Sequence, residues 1–187
     1  ERRKLLFPFL WSVIAPEGIL IGDRTQESYM EVSNGWWFSY PGYNEILTGK
    51  ADDRIDSNAK IWNKNVTFLE VLNLERRYKN RVLAFGSWDV YPYIINTERS
   101  GLPVNAGFDI ARNATSREAR WLNELSSEAP RLWANVRVDF LTHGYAMQAL
   151  KKQHPRAIYI AYGETDDFAH DRSYDRYLDA AHRNDQM

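Results

Sequence analysis

Apolar and polar residues follow two different periods along this chain, and together they predict helices and strands. Short continuous apolar runs at residues 81–85 and 157–162 are typical of strands buried on both faces. A helical period marks residues 67–78, 116–125 and 136–153, and Ser116 stands where a helix cap is expected. Strands that alternate with helices predict an α/β fold, a sandwich around a mainly parallel central sheet.

Weaker patterns complete the prediction. Residues 4–15 predict a short helix interrupted near Pro8, and residues 174–182 predict another. Residues 18–22 and 28–33 resemble strands, and residues 87–114 resemble a loop. Because no repeat or linker interrupts the sequence, we interpret residues 1–187 as one domain.

Composition and charge narrow the classes of function. Hydrophobic residues make up 44% and charged residues 26% of the 187 residues, which is ordinary for a soluble globular domain. A net charge of -1 provides no field that would recruit a nucleic-acid polymer, and no apolar run approaches the roughly 20 residues of a membrane span. With no cysteine, disulfides and thiolate-bound metals are excluded. The triplets that start at Asn65 and Asn113 fit a glycosylation pattern that is frequent by chance.

Carboxylates and a histidine follow the predicted strand at residues 157–162. They are Glu164, Asp166, Asp167 and His170, and ligands of open α/β sheets bind at that end of the strands. Asp166 and His170 are four residues apart, so one helical turn would place both on one face. Such a pair suits a borderline metal such as zinc, although acidic residues before a helix also serve as caps.

A hydroxyl group precedes a further predicted helix, which begins near Pro41. Ser39 stands two residues before Pro41, and Gly49 is expected to stop that helix. Backbone N–H groups and the helix dipole at this position favour an anion and ease formation of an alkoxide. Ser39 as a simple cap is the alternative. The rings of residues 36–38 fit a sheet core better than a pocket wall.

The two segments together resemble the alkaline phosphatase superfamily, in its nucleotide pyrophosphatase and phosphodiesterase branch. That branch has Thr or Ser followed by an aromatic residue and Pro, and then an apolar stretch that ends in Thr-Gly. Here these positions are Ser39-Tyr40-Pro41 and Leu47-Thr48-Gly49. The branch also has an aromatic-x-Glu-x-Asp-x-x-x-His element after a strand, which is matched by Tyr162, Glu164, Asp166 and His170.

The resemblance implies an alkaline-phosphatase-like three-layer sandwich that hydrolyses phosphate mono- or diesters of small molecules. Ser39 would be the nucleophile, would form a phosphoenzyme and would ligate one of two divalent metal ions. Asp166 and His170 would ligate the other ion. Asn58, 19 residues after Ser39, would donate to a phosphoryl oxygen. Zinc is the favoured metal, and manganese is compatible with the same ligands.

Two departures qualify the implied site. The family has an Asp on its first strand and an Asp-His pair after the aromatic-Glu-Asp-His element, and the 187 residues contain neither. We therefore expect an incomplete fold, the N-terminal and central part of a larger enzyme, which alone lacks part of the two-metal set. The compartment and oligomeric state stay open, and a trimmed periplasmic or secreted protein is compatible with this composition.

Other functions stay open at this point. A non-catalytic fragment or binding protein would keep the fold without the completing ligands. A phosphomutase or a sulfate-ester hydrolase would use a similar site, although Ser39–Tyr43 lacks the Arg of the sulfatase pattern. A glycoside hydrolase based on Glu164 with Asp166 or Asp167 would leave Ser39 and His170 unexplained.

Overall fold

The computed structural model describes residues 1–112 and 114–187, so the triplet at Asn113 falls outside the described residues. Within them the protein is of the α/β class, as the pattern predicts. The strands are β1 (Val82–Gly86), β2 (Val104–Ala106) and β3 (Ala157–Ala161). The helices are α1 (Arg2–Leu6), α2 (Ala15–Glu17), α3 (Ser39–Thr48), α4 (Phe68–Leu74), α5 (Tyr91–Ile95), α6 (Thr97–Ser100), α7 (Arg117–Glu128), α8 (Asp139–Gln153), α9 (Glu164–His170) and α10 (Tyr174–Gln186).

The chain divides into two compact units. The sheet unit is continuous in sequence and comprises Val32–Gly163. The terminal unit combines Glu1–Glu31 with Glu164–Met187. The interpretation of residues 1–187 as one domain stays a prediction.

The sheet unit is built on three parallel strands in the order β2-β1-β3. Ala84 of the central strand β1 pairs with Val104 on one side and with Tyr159 on the other. The prediction of a parallel sheet is therefore confirmed. Parallel strands need crossover connections, and helices supply them here.

Two apolar cores lie on opposite faces of the sheet, because alternate side chains of β1 point in opposite directions. Val82 and Ala84 pack in one core with residues of α3 and α5. Leu83 and Phe85 pack in the other with residues of α7 and α8. All five residues of β1 are buried, as its continuous apolar run predicts.

Helix caps account for the starts of two predicted helices. The Ser116 side chain accepts a hydrogen bond from the Ala119 N–H at 3.1 Å and so confirms the predicted cap of α7. Thr67 caps α4 in the same way, through the N–H of Glu70. Helix α4 ends at Leu74, earlier than its apolar period suggests, because Glu75 adopts an extended conformation.

Three local predictions are wrong. Residues 18–22 and 28–33 form no strand, although their apolar residues resemble one. An isolated apolar run is not stable as a strand without a neighbour to pair with, and β-propensity alone does not provide one. The supposed loop at residues 87–114 contains α5, α6 and β2. Its helices and its strand are too short to show a hydrophobic period, because a helical period becomes visible only over about ten residues.

The terminal unit is organised around α10. The Asp185 carboxylate accepts hydrogen bonds from the N–H groups of Phe9 and Leu10, at 2.7 and 2.8 Å. The His182 Nδ1 atom lies 2.9 Å from the carbonyl oxygen of Leu6. Helix α1 ends at Leu6, with Phe7 as the C-cap residue just before Pro8, as predicted, and a π-helical turn at Leu10–Ile14 continues the chain into α2.

A helix that crosses a bilayer must be long and apolar. In the part of the chain that the structure describes, none of the helices meets that requirement.

The close contact between Gly86 and Tyr91 leads to a first prediction. A Cβ atom on Gly86 would lie 2.2 Å from the buried Tyr91 ring. We expect Gly86→Ala to lower the free energy of unfolding by about 1–3 kcal/mol, since a rigid core must move to accept the methyl group. Gly42→Ala is the matched control, because its Cβ meets no atom within 4 Å.

Gly42 lies within α3, so its replacement by Ala should instead raise stability by roughly 0.5–1 kcal/mol. Urea unfolding followed by circular dichroism measures both changes. Equal effects of the two replacements would contradict the close packing of Gly86 against Tyr91.

Candidate functional site

Ser39 is the first residue of α3 and is half-buried. Phe38 occupies the cap position in an extended conformation, and its side chain makes no capping hydrogen bond. The interpretation of Ser39 as a cap is therefore wrong. Its hydroxyl instead belongs to the first helical turn, where backbone N–H groups have no partner within the helix.

Asn58 lies against the same end of α3. Its Oδ1 atom accepts a hydrogen bond from the Tyr40 N–H at 2.9 Å. This bond turns the Oδ1 atom of the exposed amide toward the helix. The sheet unit thus places Asn58 at the helix end that begins with Ser39, and the resemblance implies that both residues contact a phosphoryl group.

Glu45 clamps the segment that precedes α3. Its Oε1 atom accepts hydrogen bonds from the backbone N–H and the hydroxyl of Ser33. Its Oε2 atom accepts from the backbone N–H and the side-chain amide of Asn34, at 3.1 and 2.9 Å. These bonds, with that from the Ser33 hydroxyl the strongest, lower the pKa of Glu45 from 4.5 to about 2.

The aromatic residues before Ser39 are not core residues, so that prediction is wrong. The exposed fractions of Trp36, Trp37 and Phe38 are 43%, 99% and 49%. The segment lies outside the sheet. An apolar run forms part of a sheet only where a neighbouring strand pairs with it, and this segment has no such neighbour among the described residues. Its position therefore depends on polar contacts more than on burial.

Several residues of the Ser39–Gly49 segment have a structural role. The Tyr40 hydroxyl donates to the carbonyl oxygen of Ile61 at 2.7 Å inside the core. Leu47 is fully buried. Gly49 adopts a left-handed conformation with φ 77° and ends α3 by donating its N–H to the Glu45 carbonyl oxygen. The Thr-Gly pair of the resemblance is thus a helix terminus.

Asp166 and His170 lie on one face of α9, in the terminal unit, as their spacing predicts. The His170 Nε2 atom is 3.5 Å from the Asp166 Oδ2 atom. Both side chains are exposed, His170 by 77% and Asp166 by 66%. A carboxylate oxygen and an imidazole nitrogen at this distance face solvent together, where one ion has access to both.

Glu164 has a structural partner in the terminal unit. It is buried, and its Oε2 atom accepts a hydrogen bond from Arg183 at 2.9 Å. Across residues 1–112 and 114–187, no group of three or more His, Asp and Glu side chains is arranged to hold a metal ion. Asp166 and His170 are two potential ligands that lie side by side.

A buried polar network at the strand ends was not expected from the sequence. The Asp139 Oδ1 atom accepts hydrogen bonds from the Ser87 hydroxyl at 2.6 Å and from the Gly163 N–H at 2.7 Å. The Ser87 Oγ atom also lies 2.8 Å from Thr142 Oγ1, to which the buried Arg137 donates. Burial lowers the pKa of Arg137 to about 10. One carboxylate thus ties together the ends of β1 and β3.

A second charged pair stands near Asn58. The Lys60 Nζ atom lies 2.6 Å from the Asp89 Oδ2 atom. Asp89 follows β1 by three residues, and this strand-end position is the same signal that singled out Glu164. The ion pair joins the Asn58 loop to the end of the central strand.

Comparison with known proteins adds no relative. No protein-family model matches the chain, and neither does any curated protein or any solved structure. The class that the fold and the site define is therefore an α/β protein with a serine and an asparagine at a helix N-terminus.

The Glu45 clamp leads to a prediction about pH. Because the folded-state pKa of Glu45 is lowered, the stability that the clamp contributes is present above pH 4.5 and is lost as pH falls toward about 2. We expect the Glu45 carboxyl carbon and the Ser33 amide to titrate together near pH 2 in an NMR experiment. Ser33→Ala should raise the midpoint, because it removes the strongest of the hydrogen bonds. A wild-type midpoint near 4.5 would show that the clamp is absent in solution.

Proposed function

We propose that this chain carries the catalytic serine of a metal-dependent hydrolase of phosphate mono- or diesters, with Ser39 forming a phosphoenzyme. The observation that carries the proposal is the contact at the start of α3. Asn58 is held 2.9 Å from the Tyr40 N–H, beside the half-buried Ser39. The proposal includes the finer fold, an incomplete alkaline-phosphatase-like sandwich, of which the α/β class and the parallel sheet are the observed part.

The chemistry follows from the position of the hydroxyl. Helix α3 is ten residues long, and the positive end of its dipole favours negative charge at Ser39. The Ser39 hydroxyl would give its proton to solvent, and the resulting alkoxide would attack phosphorus in line while the bond from phosphorus to the leaving alcohol's oxygen breaks. The Asn58 Nδ2 group is the proposed donor for the charge that develops on a phosphoryl oxygen. Water then hydrolyses the phosphoserine.

Divalent metal ions complete the proposed chemistry. Asp166 and His170 offer an oxygen and a nitrogen, a donor set that suits zinc and also accepts manganese. Bound ions of this kind stabilise the attacking and leaving oxygens and lower the pKa of water. Ser39 is the proposed ligand of the first ion, while Asp166 and His170 are the proposed ligands of the second.

The test of the proposed function uses three model substrates. Para-nitrophenyl phosphate, bis-para-nitrophenyl phosphate and para-nitrophenyl sulfate are incubated with the protein and added zinc or manganese. We expect hydrolysis of a phosphate ester that is lost with a chelator and with Ser39→Ala. Ser127→Ala, at an exposed serine of α7, should hydrolyse as the wild type does. Asn58→Ala should lower kcat by about 10²–10³-fold, the usual effect of one lost donor.

Mass spectrometry of a rapidly quenched reaction adds a direct readout. The peptide that contains Ser39 should gain one phosphoryl group in the wild type. Failure of the protein to hydrolyse any of the three esters with either metal would contradict the proposal and favour a non-catalytic protein that keeps the fold. Preference for the sulfate would place the chain with sulfate-ester hydrolases.

The proposed metal ligands are tested by zinc binding. We expect His170→Ala and Asp166→Asn each to weaken zinc binding at least about tenfold in calorimetry, because each removes one donor of the pair. His154→Ala is the matched control, since His154 is exposed at the end of α8. Equal zinc affinity in the His170 and His154 variants would rule out the pair as ligands.

A further inference from the structure

The segment that leads into α3 has little apolar burial to hold it. Trp36, Trp37 and Phe38 are exposed, and Ser33 is exposed as well. A segment with so little buried surface keeps one conformation only if its polar groups are tied down. The ties here are the four hydrogen bonds to Glu45.

These ties fix the backbone as well as the side chains. Two of the four donors are the backbone N–H groups of Ser33 and Asn34. The Asn34 Oδ1 atom then accepts a hydrogen bond from the Trp36 N–H at 3.0 Å. Hydrogen bonds thus follow the chain from Glu45 to within three residues of Ser39.

The residue that accepts these hydrogen bonds and the candidate nucleophile belong to the same helix. Glu45 and Ser39 are residues of the same helix, six positions apart. The clamp therefore holds the incoming segment against the helix that it enters. The direction in which the chain enters α3 sets the backbone at Ser39, and that backbone limits the positions that the Ser39 hydroxyl can reach.

We propose that Glu45 is a positioning residue for Ser39, whose hydroxyl it orients through the Ser33–Phe38 segment. The inference rests on the proposed function, in which Ser39 is the nucleophile. Glu45 itself touches no reacting atom. Its contribution is the placement of the nucleophile, for which an error of about 1 Å costs roughly 10²-fold in rate.

A carboxylate is the side chain that this role requires. Its two oxygens accept all four hydrogen bonds, whereas a glutamine amide has one acceptor oxygen and an NH₂ group that faces further donors. Glu45→Gln keeps the size of the side chain and loses half of the clamp. Glu124→Gln is the matched control, because Glu124 is an exposed glutamate within α7.

The first arm of the experiment needs no hydrolysis. Amide hydrogen exchange and chemical shifts are measured by NMR in the wild type and in both Gln variants. We expect faster exchange at Ser33 and Asn34 in Glu45→Gln, with shifted amide signals from Phe38 to Tyr40. Unchanged signals from Phe38 to Tyr40 in that variant would overturn the proposal. Glu124→Gln should match the wild type throughout.

The second arm measures kinetics with the phosphate ester that the wild type hydrolyses. We expect Glu45→Gln to lower kcat by roughly 10²-fold and to leave KM nearly unchanged, since the nucleophile and not the substrate is displaced. Adding Asn34→Ala to Glu45→Gln should then cost little more, because both act through one path. Fully additive losses, or an unchanged kcat, would overturn the proposal. If the wild type hydrolyses no ester, the proposed function fails, and the amide signals still decide whether Glu45 positions Ser39.

Discussion

The central strand β1 is the constraint on which the sheet unit depends. All its residues are buried, and it has a parallel neighbour on each edge. Since parallel neighbours cannot be joined by tight turns, the chain must cross over through helices, which cover both faces. The strands therefore end at one edge, where Asp139 binds Ser87 and Gly163 together. A single buried carboxylate thus joins the ends of two strands.

Helix α3 is held by different forces at its two ends. Its core-facing residues Tyr40 and Leu47 are buried, which anchors the helix body. Its N-terminus has no capping hydrogen bond from Phe38 and is held by polar contacts, with Asn58 on one side and through Glu45 on the other. An anchored helix with an accessible first turn is the combination that a nucleophilic hydroxyl requires.

The parts of the fold that follow from local physics could be predicted. Continuous apolar runs gave β1 and β3, and cap chemistry gave the start of α7 at Ser116. The spacing of Asp166 and His170 sufficed for their contact on α9. Local patterns failed where the outcome depends on distant partners. The apolar residues 18–22 and 28–33 have no strand to pair with, and α5 and α6 are too short to show a period.

The same limit applies to the candidate site. Ser39 and Asp166 stand out in sequence because their residue types and spacings are unusual, whereas Glu45 and Asp89 become visible only through partners 11 to 29 residues away. No local pattern indicates that a helix glutamate will collect four donors from a preceding segment. Long-range polar ties of this kind depend on the tertiary fold, so the structure was needed to find them.

Structural roles explain some of the residues that carry the resemblance and leave others unexplained. Tyr40 fills the core, Gly49 ends a helix, and Glu164 pairs with Arg183, so each would be retained in a protein without activity. Exposed Asp166 and His170 have no comparable role in a core. Their surface ion pair is worth at most about 1 kcal/mol. Ser39 does not cap its helix, whereas Asn58 has a structural role because it accepts a hydrogen bond from the Tyr40 N–H. The residues that stability explains least are therefore Ser39, Asp166 and His170, and the proposed activity depends on these three.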